Sequence, residues 1–233
     1  MSAFTSGSGA SFAGTTEHEA AGSSSSLPAP VVFIVDDDAS VRESLESLIE
    51  SAGWQTETFA SPGEFLATPR LPFPSCLILD VMLPEFNGLD LQERLNAERP
   101  EIPIVFVTGY GDVPTTVRAM KRGAVDFLTK PFRDGDVLEA IACALERGSA
   151  LVRELAERSA LVQRYASLSP REREVMALVV AGRLNKQTAI ELRISEVTVK
   201  AHRGRVMRKM KARSLAQLVH MAGICTLSQE SQV

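Results

Sequence analysis

Six side chains carry the chemistry this sequence can do. They are the consecutive carboxylates Asp36, Asp37 and Asp38, a fourth carboxylate at Asp80, the hydroxyl of Thr108 and the ammonium of Lys130. Each stands at the end of a short apolar run: "VVFIV" before the triplet, "CLIL" before Asp80, "IPIVFV" before Thr108 and "AVDFLT" before Lys130. Like charges about 4 Å apart repel by roughly 4 kcal/mol at the effective dielectric near a protein surface, so the triplet needs positive charge nearby. Phosphoryl transfer to a carboxylate uses this combination of groups. A hard divalent cation such as Mg2+ takes oxygen ligands and offsets both the carboxylates and the incoming phosphoryl charge. Lys130 can hold one phosphoryl oxygen as a point charge, and Thr108 can hydrogen-bond another. Asp80 is then the nucleophile, forming an acylphosphate.

Those groups converge only if the runs before them are neighbouring parallel strands. From residue 31 to about residue 147 such runs alternate with segments of helical period. In the first helical segment Val41, Leu45, Leu48, Ile49 and Ala52 share a face before Gly53 stops it. "NGLDLQERLNAE", "VPTTVRAMKRG" and "GDVLEAIACALERG" repeat the pattern, and "WQTETF", half polar, reads as an edge strand. Five strands alternating with five helices predict an α/β doubly wound five-stranded parallel sheet of the flavodoxin-like kind. Its strands are covered on both faces, which accounts for the apolar central ones. In such sheets function gathers outside the carboxyl ends of the strands, where the six groups stand.

The remaining chain divides by composition. Residues 1–29 are mostly Ser, Gly, Ala and Thr, too little apolar surface to offset ordering entropy, and read as a disordered tail. Residues 30–147 form the α/β domain. Residues 148–166 read as a helical linker, with Arg153/Glu157 and Glu154/Arg158 at i,i+4 and an apolar stripe that suits a stalk better than a short dimer-forming coil. Residues 167–225 carry four helix signatures, and residues 226–233 are a C-terminal tail. The net charge of −4 conceals an asymmetry: residues 167–233 hold 12 Lys and Arg against 5 Asp and Glu, whereas residues 1–166 hold 13 against 24. The basic rear points to a polyanionic partner. Cys76, Cys143 and Cys225 form no CxxC pair, which argues against a disulfide scaffold or a zinc site and for a reducing, cytoplasmic setting. No apolar run reaches the roughly 18 residues of a membrane span.

In the basic part, Ser169-Pro170-Arg171-Glu172 is a capping box with proline at the first helical position, and Gly182 ends that helix. A short helix follows in "NKQTAIELRI", Ser195 caps another through Met210, and Ser214-Leu215-Ala216-Gln217 opens a last helix expected to end near Gly223. Two short helices before a basic third describe a helix-turn-helix. On the third helix Val206 and Met210 face a core, flanked by His202 and Arg203. Ala201, Gly204, Arg205 and Arg208 face outward, bordered by Lys200 and Lys211. That small-centred cationic face suits a major groove, with Lys200 on a base, Arg205, Arg208 and Lys211 on phosphates, and Thr198 near a backbone phosphate at the helix start. His202 is expected to be packed and hydrogen-bonded.

Residues 31 to about 147 resemble a response-regulator receiver domain, on "VDDD", "LILDVMLPEFNG", "FVTGYGD" and "DFLTKPF". Residues 167 to about 225 resemble the LuxR-type helix-turn-helix, on "LSPREREVMALVVAGRLNKQTAIELRISEVTVKAHRGRVMRKM". The pair is most similar to the FixJ/NarL type of two-component response regulator. The resemblance implies that Asp37 and Asp80 ligate Mg2+ directly, Asp36 through water and Met82 by its backbone carbonyl. It places Asp38 at a variable position, makes the Lys130-Pro131 bond often cis and sets Phe127 where an aromatic switch residue stands. The usual tyrosine there is replaced, so packing alone reports the switch. Thr188 departs from the apolar residue usual at its position. The implied function is a phosphorylation-dependent transcriptional regulator, not an enzyme. Its implied partners are a histidine kinase, double-stranded DNA, a second copy of the chain and RNA polymerase. Bulk at Met82 and Tyr110 is expected to slow acylphosphate hydrolysis. A haloacid-dehalogenase-type phosphatase fits less well, because Met82 stands where its acid/base Asp would be. An unphosphorylated, degenerate receiver conflicts with the complete set of acids, Thr108 and Lys130.

Overall fold

The structure, a computed structural model, describes residues 29–70, 73–84, 86–109 and 111–230, with side chains as far as residue 225. The expected disorder of residues 1–28 and the shielding role of Tyr110 lie outside the described residues. Five strands, β1 (Val31–Val35), β2 (Gln55–Phe59), β3 (Ser75–Leu79), β4 (Ile104–Thr108) and β5 (Asp126–Thr129), form one parallel sheet in the order β2-β1-β3-β4-β5. The α/β doubly wound reading holds, and the half-polar "QTETF" strand is an edge. Between the strands run α1 (Ala39–Ser51), α2 (Pro62–Ala67), α3 (Gly88–Glu98) and α4 (Val113–Lys121).

Alternate residues of β1 serve different layers. Phe33 and Val35 join Leu77, Leu79, Phe106 and Leu91 on one face, with Phe59 and Phe65 at tilted and edge-on ring contacts to Phe33. Val32 and Ile34 join Cys76, Ile78, Val105, Leu45 and Ile141 on the other. Two-sided burial explains why β1, β3 and β4 are buried at every position and, apart from Ser75 and Thr108 at their ends, apolar instead of alternating. The helices start where the sequence supplies oxygen acceptors: Asp38 caps α1, Ser61 α2, Asn87 α3 and Asp112 α4, each accepting a backbone N–H of the first turn.

Helix α5 (Asp134–Ala166) runs for 33 residues without a break at 147/148. Its first half packs on the sheet through Val137, Ala140, Ile141 and Ala144, and its end enters a separate core through Leu161 and Tyr165. Gly148 permits this continuity, because a Cβ there would lie 2.6 Å from the Ser75 carbonyl oxygen. The linker is therefore continuous with the last helix of the sheet domain.

The rear domain comprises α6 (Pro170–Val180), α7 (Asn185–Leu192), α8 (Glu196–Met210) and α9 (Leu215–Glu230) around Val175, Met176, Val199, Val206, Met210 and Leu218. The Ser169/Glu172 capping box is formed reciprocally, and Gly182 takes a φ of +81° just past α6. Helix α9 does not stop near Gly223 but continues to Glu230, because the apolar sequence either side of a single glycine holds the helix against its propensity cost. His202 is half-buried, but its Nδ1 has no hydrogen-bond partner, contrary to expectation. Thr188 is fully buried with its Oγ1 likewise unpaired, the cost of a hydroxyl where an apolar side chain would fit. No helix among the described residues is long and apolar enough to cross a membrane.

Candidate functional site

The loop after β1 is built around its own acids. Asp36 Oδ1 accepts the Asp38 N–H at 2.9 Å, and Arg42 Nη1 donates to the Asp36 carbonyl at 2.6 Å, so the loop is held from both sides. Asp38, exposed, accepts the N–H and hydroxyl of Ser40, which holds its carboxyl below the usual carboxylate range. It is a helix cap, as its position suggested. Asp80 follows β3, its N–H bonded to the Val35 carbonyl at 3.0 Å, and its Oδ1 accepts the Met82 N–H at 3.0 Å. Lys130 follows β5, with its N–H on the Thr108 carbonyl at 2.8 Å, and the bond to Pro131 is cis.

These anchors bring Lys130 Nζ to 2.7 Å from Asp36 Oδ2 and 3.1 Å from Asp80 Oδ2. One ammonium bridges two buried carboxylates, and that is how the acid cluster is tolerated. Burial pushes the Asp36 carboxyl up, opposed by its hydrogen bond from Lys130. Burial would lower the Lys130 ammonium, but the carboxylates of Asp36 and Asp80 outweigh it and raise it. Carboxylate oxygens of Asp36, Asp37 and Asp80 lie within 4.8 Å of one another, with Asp37 exposed. Three hard oxygen donors at that spacing, one open to solvent, fit a small divalent cation.

Thr108 is fully buried and pairs in register with Thr129 on β5. Phe127 is half-buried, its ring centroid 5.8 Å from that of Phe106. Gly111 brings the loop after β4 close to both, since a Cβ there would lie 2.3 Å from the Thr129 methyl and 3.4 Å from Phe127. Met82 is exposed. Sequence reasoning missed Arg42, whose guanidinium holds the Asp36 carbonyl, and Gly88 and Gly111, which let α3 and the loop after β4 approach Asp80 and Thr129 closely; spacing encodes none of these contacts.

On α8 the expected faces appear. Val199, Val206 and Met210 are buried, while Lys200, Ala201, Gly204, Arg205, Arg208 and Lys211 are exposed. Ser195 caps the helix, accepting the Thr198 N–H at 3.1 Å, and its hydroxyl also meets Thr198 Oγ1 at 2.8 Å. Lys211 takes a left-handed φ of 55° as the helix C-cap. Arg203 ties α8 to Asn185 of α7, and Lys209 ties it to Glu172 at 2.6 Å and to the Ser167 carbonyl at 3.0 Å. The recognition-type helix is thus pinned to the end of α5 and the start of α6. Val197, 76% exposed in the first turn, was missed by the sequence reading.

Residues 32–142 match the response regulator receiver domain model, and residues 166–222 match that of bacterial regulatory proteins, luxR family. Nodulation protein W of Bradyrhizobium diazoefficiens is 50% identical over 194 residues, covering 82% of this chain and 85% of that protein. The chain belongs to the response regulators with a luxR-family DNA-binding domain. Transcriptional regulatory protein FixJ of the same organism is 43% identical over 82% of this chain and 93% of that protein. Among solved structures, response regulator StyR superposes with a TM-score of 0.73 at 47% identity, covering 84% of this chain and 98% of that one. Full-length FixJ from B. japonicum gives 0.51 at 40% identity over 86% and 98%. This response regulator is accordingly a phosphorylation-dependent transcriptional regulator of a two-component system, which implies a histidine kinase as phosphodonor and DNA as target.

Proposed function

We propose that Asp80 accepts the phosphoryl group, that Asp36, Asp37, Asp80 and the Met82 carbonyl hold Mg2+, and that Thr108, Phe127 and Lys130 read the modification. The observation that carries this is the Lys130 ammonium shared between Asp36 and Asp80, with Asp37 completing an oxygen cluster. The bound ion would offset the charge of the carboxylates and of the incoming phosphoryl group. The Asp80 carboxylate attacks phosphorus while the donor's P–N bond breaks, and the displaced imidazole leaves. Lys130, already 3.1 Å from Asp80, holds a phosphoryl oxygen in place of the Asp80 oxygen it now binds. The Thr108 hydroxyl turns toward another oxygen, and Phe127 moves into the space it leaves, reporting by packing alone.

The readout is dimerisation through the face of α4, β5 and α5. Val113, Val117 and Met120 support it as an exposed apolar stripe at i, i+4 and i+7 on α4. The dimer then presents two copies of α8 to half-sites about one helical turn apart. Lys200 and Ala201 face bases beside the small Gly204, Arg205, Arg208 and Lys211 hold phosphates, and Thr198 lies near a phosphate at the helix start. Activation through RNA polymerase, a cytoplasmic location and slow self-dephosphorylation of the receiver complete the reading. Its working units are the receiver over 30–147, the connecting helix over 148–166 and the DNA-reading domain over 167–225. The two core layers of the sheet domain, the separate rear core and the continuous helix between them support a division into two working domains joined by a strut.

The test compares the wild-type chain with Asp80→Asn by sedimentation and DNA-binding anisotropy, with and without acetyl phosphate and Mg2+. The donor is expected to dimerise and tighten only the wild type. An Asp80→Asn protein that still dimerised on adding donor would remove Asp80 from the mechanism.

A further inference from the structure

The outward face of α8 has one large exposed apolar group, in its first turn, that the fold does not bury. Val197 is 76% exposed although it sits in a well-capped helix beside a core that accepts valine at positions 199 and 206. At roughly 100° per residue, Val197 shares its direction with Ala201, Gly204 and Arg208, opposite Val199, Val206 and Met210. Ala201 and Gly204 present almost no side chain, so the helix can approach a groove floor closely. Val197 is then the large apolar group directed into that space. Exposed isopropyl groups gain nothing from water, but they match the one apolar feature of the major groove, the C5-methyl of thymine.

We infer that Val197 reads a thymine methyl in each half-site, beside the base contacted by Lys200; this rests on the proposed DNA-reading face. Val197 and Lys200 are about 4.5 Å apart along the helix axis, little more than one base-pair step. The thymine therefore lies within two base pairs of the Lys200 contact. Glu196, next to Val197, is not the reader: its Oε1 lies 3.9 Å from Lys200 Nζ, and an acid aimed at the groove faces the phosphate field. That exposed pair is weak enough for Lys200 to leave it on binding.

The test uses the full chain with acetyl phosphate and Mg2+ and duplexes it selects from a random pool. Thymines of a selected duplex are replaced one at a time by deoxyuridine, which removes only the methyl. Wild-type protein is expected to lose about fourfold in affinity at one thymine per half-site, the equivalent of one buried methyl. Val197→Ala is expected to lose less than twofold at that same position while binding random DNA as wild type does, because Val197 meets no phosphate. A second variant, Val197→Thr, keeps one methyl and is expected to fall between. If deoxyuridine weakens both proteins equally, or neither, Val197 is not the reader. If the chain enriches no sequence at all, the DNA-reading face itself is wrong, and this inference falls with it.

Discussion

Gly88, the first residue of α3, gives a perturbation whose sign separates local propensity from site geometry. Its φ is not left-handed, so alanine can adopt the backbone without strain. Helix propensity alone would favour alanine by about 1 kcal/mol. The tertiary contacts say the reverse. A Cβ at position 88 would stand 2.4 Å from the Asp80 carbonyl oxygen and 3.0 Å from the Val81 Cα, where ordinary contact begins at 3.4 Å. Both obstacles are backbone and cannot rotate away, so the loop carrying Asp80 must move by about 1 Å, and displacements of that size cost on the order of 100-fold in a reaction that depends on alignment. Gly88→Ala is therefore expected to be phosphorylated by acetyl phosphate about 100-fold more slowly than wild type, followed by intact mass against time. Gly135→Ala, where a Cβ meets nothing within 4 Å, serves as the helix-start control and is expected to react at the wild-type rate. A folded Gly88→Ala protein that reacts as fast as wild type would show that the close approach does not position Asp80.

Four further outcomes follow from particular contacts and burial. Lys209→Met leaves the buried Glu172 carboxylate without its ammonium, and thermal unfolding is expected to report a loss of about 2 kcal/mol, discounted from the cost of a fully buried pair because Lys209 is partly exposed. The same contact sets a pH limb. The hydrogen bond from Lys209 holds the Glu172 carboxyl below the usual range, so its stabilisation is complete above about pH 4.3 and drains away as pH falls through the depressed value. An acid limb unchanged in Lys209→Met would contradict this. On DNA, Arg208→Ala is expected to weaken all sequences alike and lower the salt slope by about 1, whereas Lys200→Ala relaxes preference at one base pair by about 1–3 kcal/mol; interchanged behaviours would reverse the assignments. Iodoacetamide is expected to label exposed Cys143 quickly and to spare Cys76, whose burial pushes its thiol far up. Equal labelling rates in the native protein would mean the sheet layer around Cys76 opens readily.

The sheet and its acids were legible because fully buried strands leave unbroken apolar runs, and because a chemistry-bearing residue at each run's end marks the same edge. Asp36, Asp80, Thr108 and Lys130 could be placed at neighbouring strand ends from order alone, and the Ser169, Ser195 and Asp38 caps are short-range signals that neighbouring residues decide. Less visible were features set by tertiary packing. The continuity of α5 past residue 147 depends on Gly148 fitting against the Ser75 carbonyl, and a glycine in a helical pattern reads as a boundary when its neighbour is unknown. Gly223 misled in the same way, since the apolar residues on either side of it, packed on the rear core, hold the helix against the glycine's propensity cost. Val197 was passed over because an apolar residue at helical spacing is ordinarily core, and only its exposure distinguishes it.

The central assignment is that Asp80 captures a phosphoryl group with the help of a divalent cation and Lys130. Intact mass followed by peptide mapping, after incubation with acetyl phosphate and Mg2+, tests it most directly. The expected result is a gain of one phosphoryl group on the peptide carrying Asp80, removed by hydroxylamine as an acylphosphate and absent when the metal is chelated. An unmodified chain under these conditions, or a modification that maps elsewhere and survives hydroxylamine, would contradict the account.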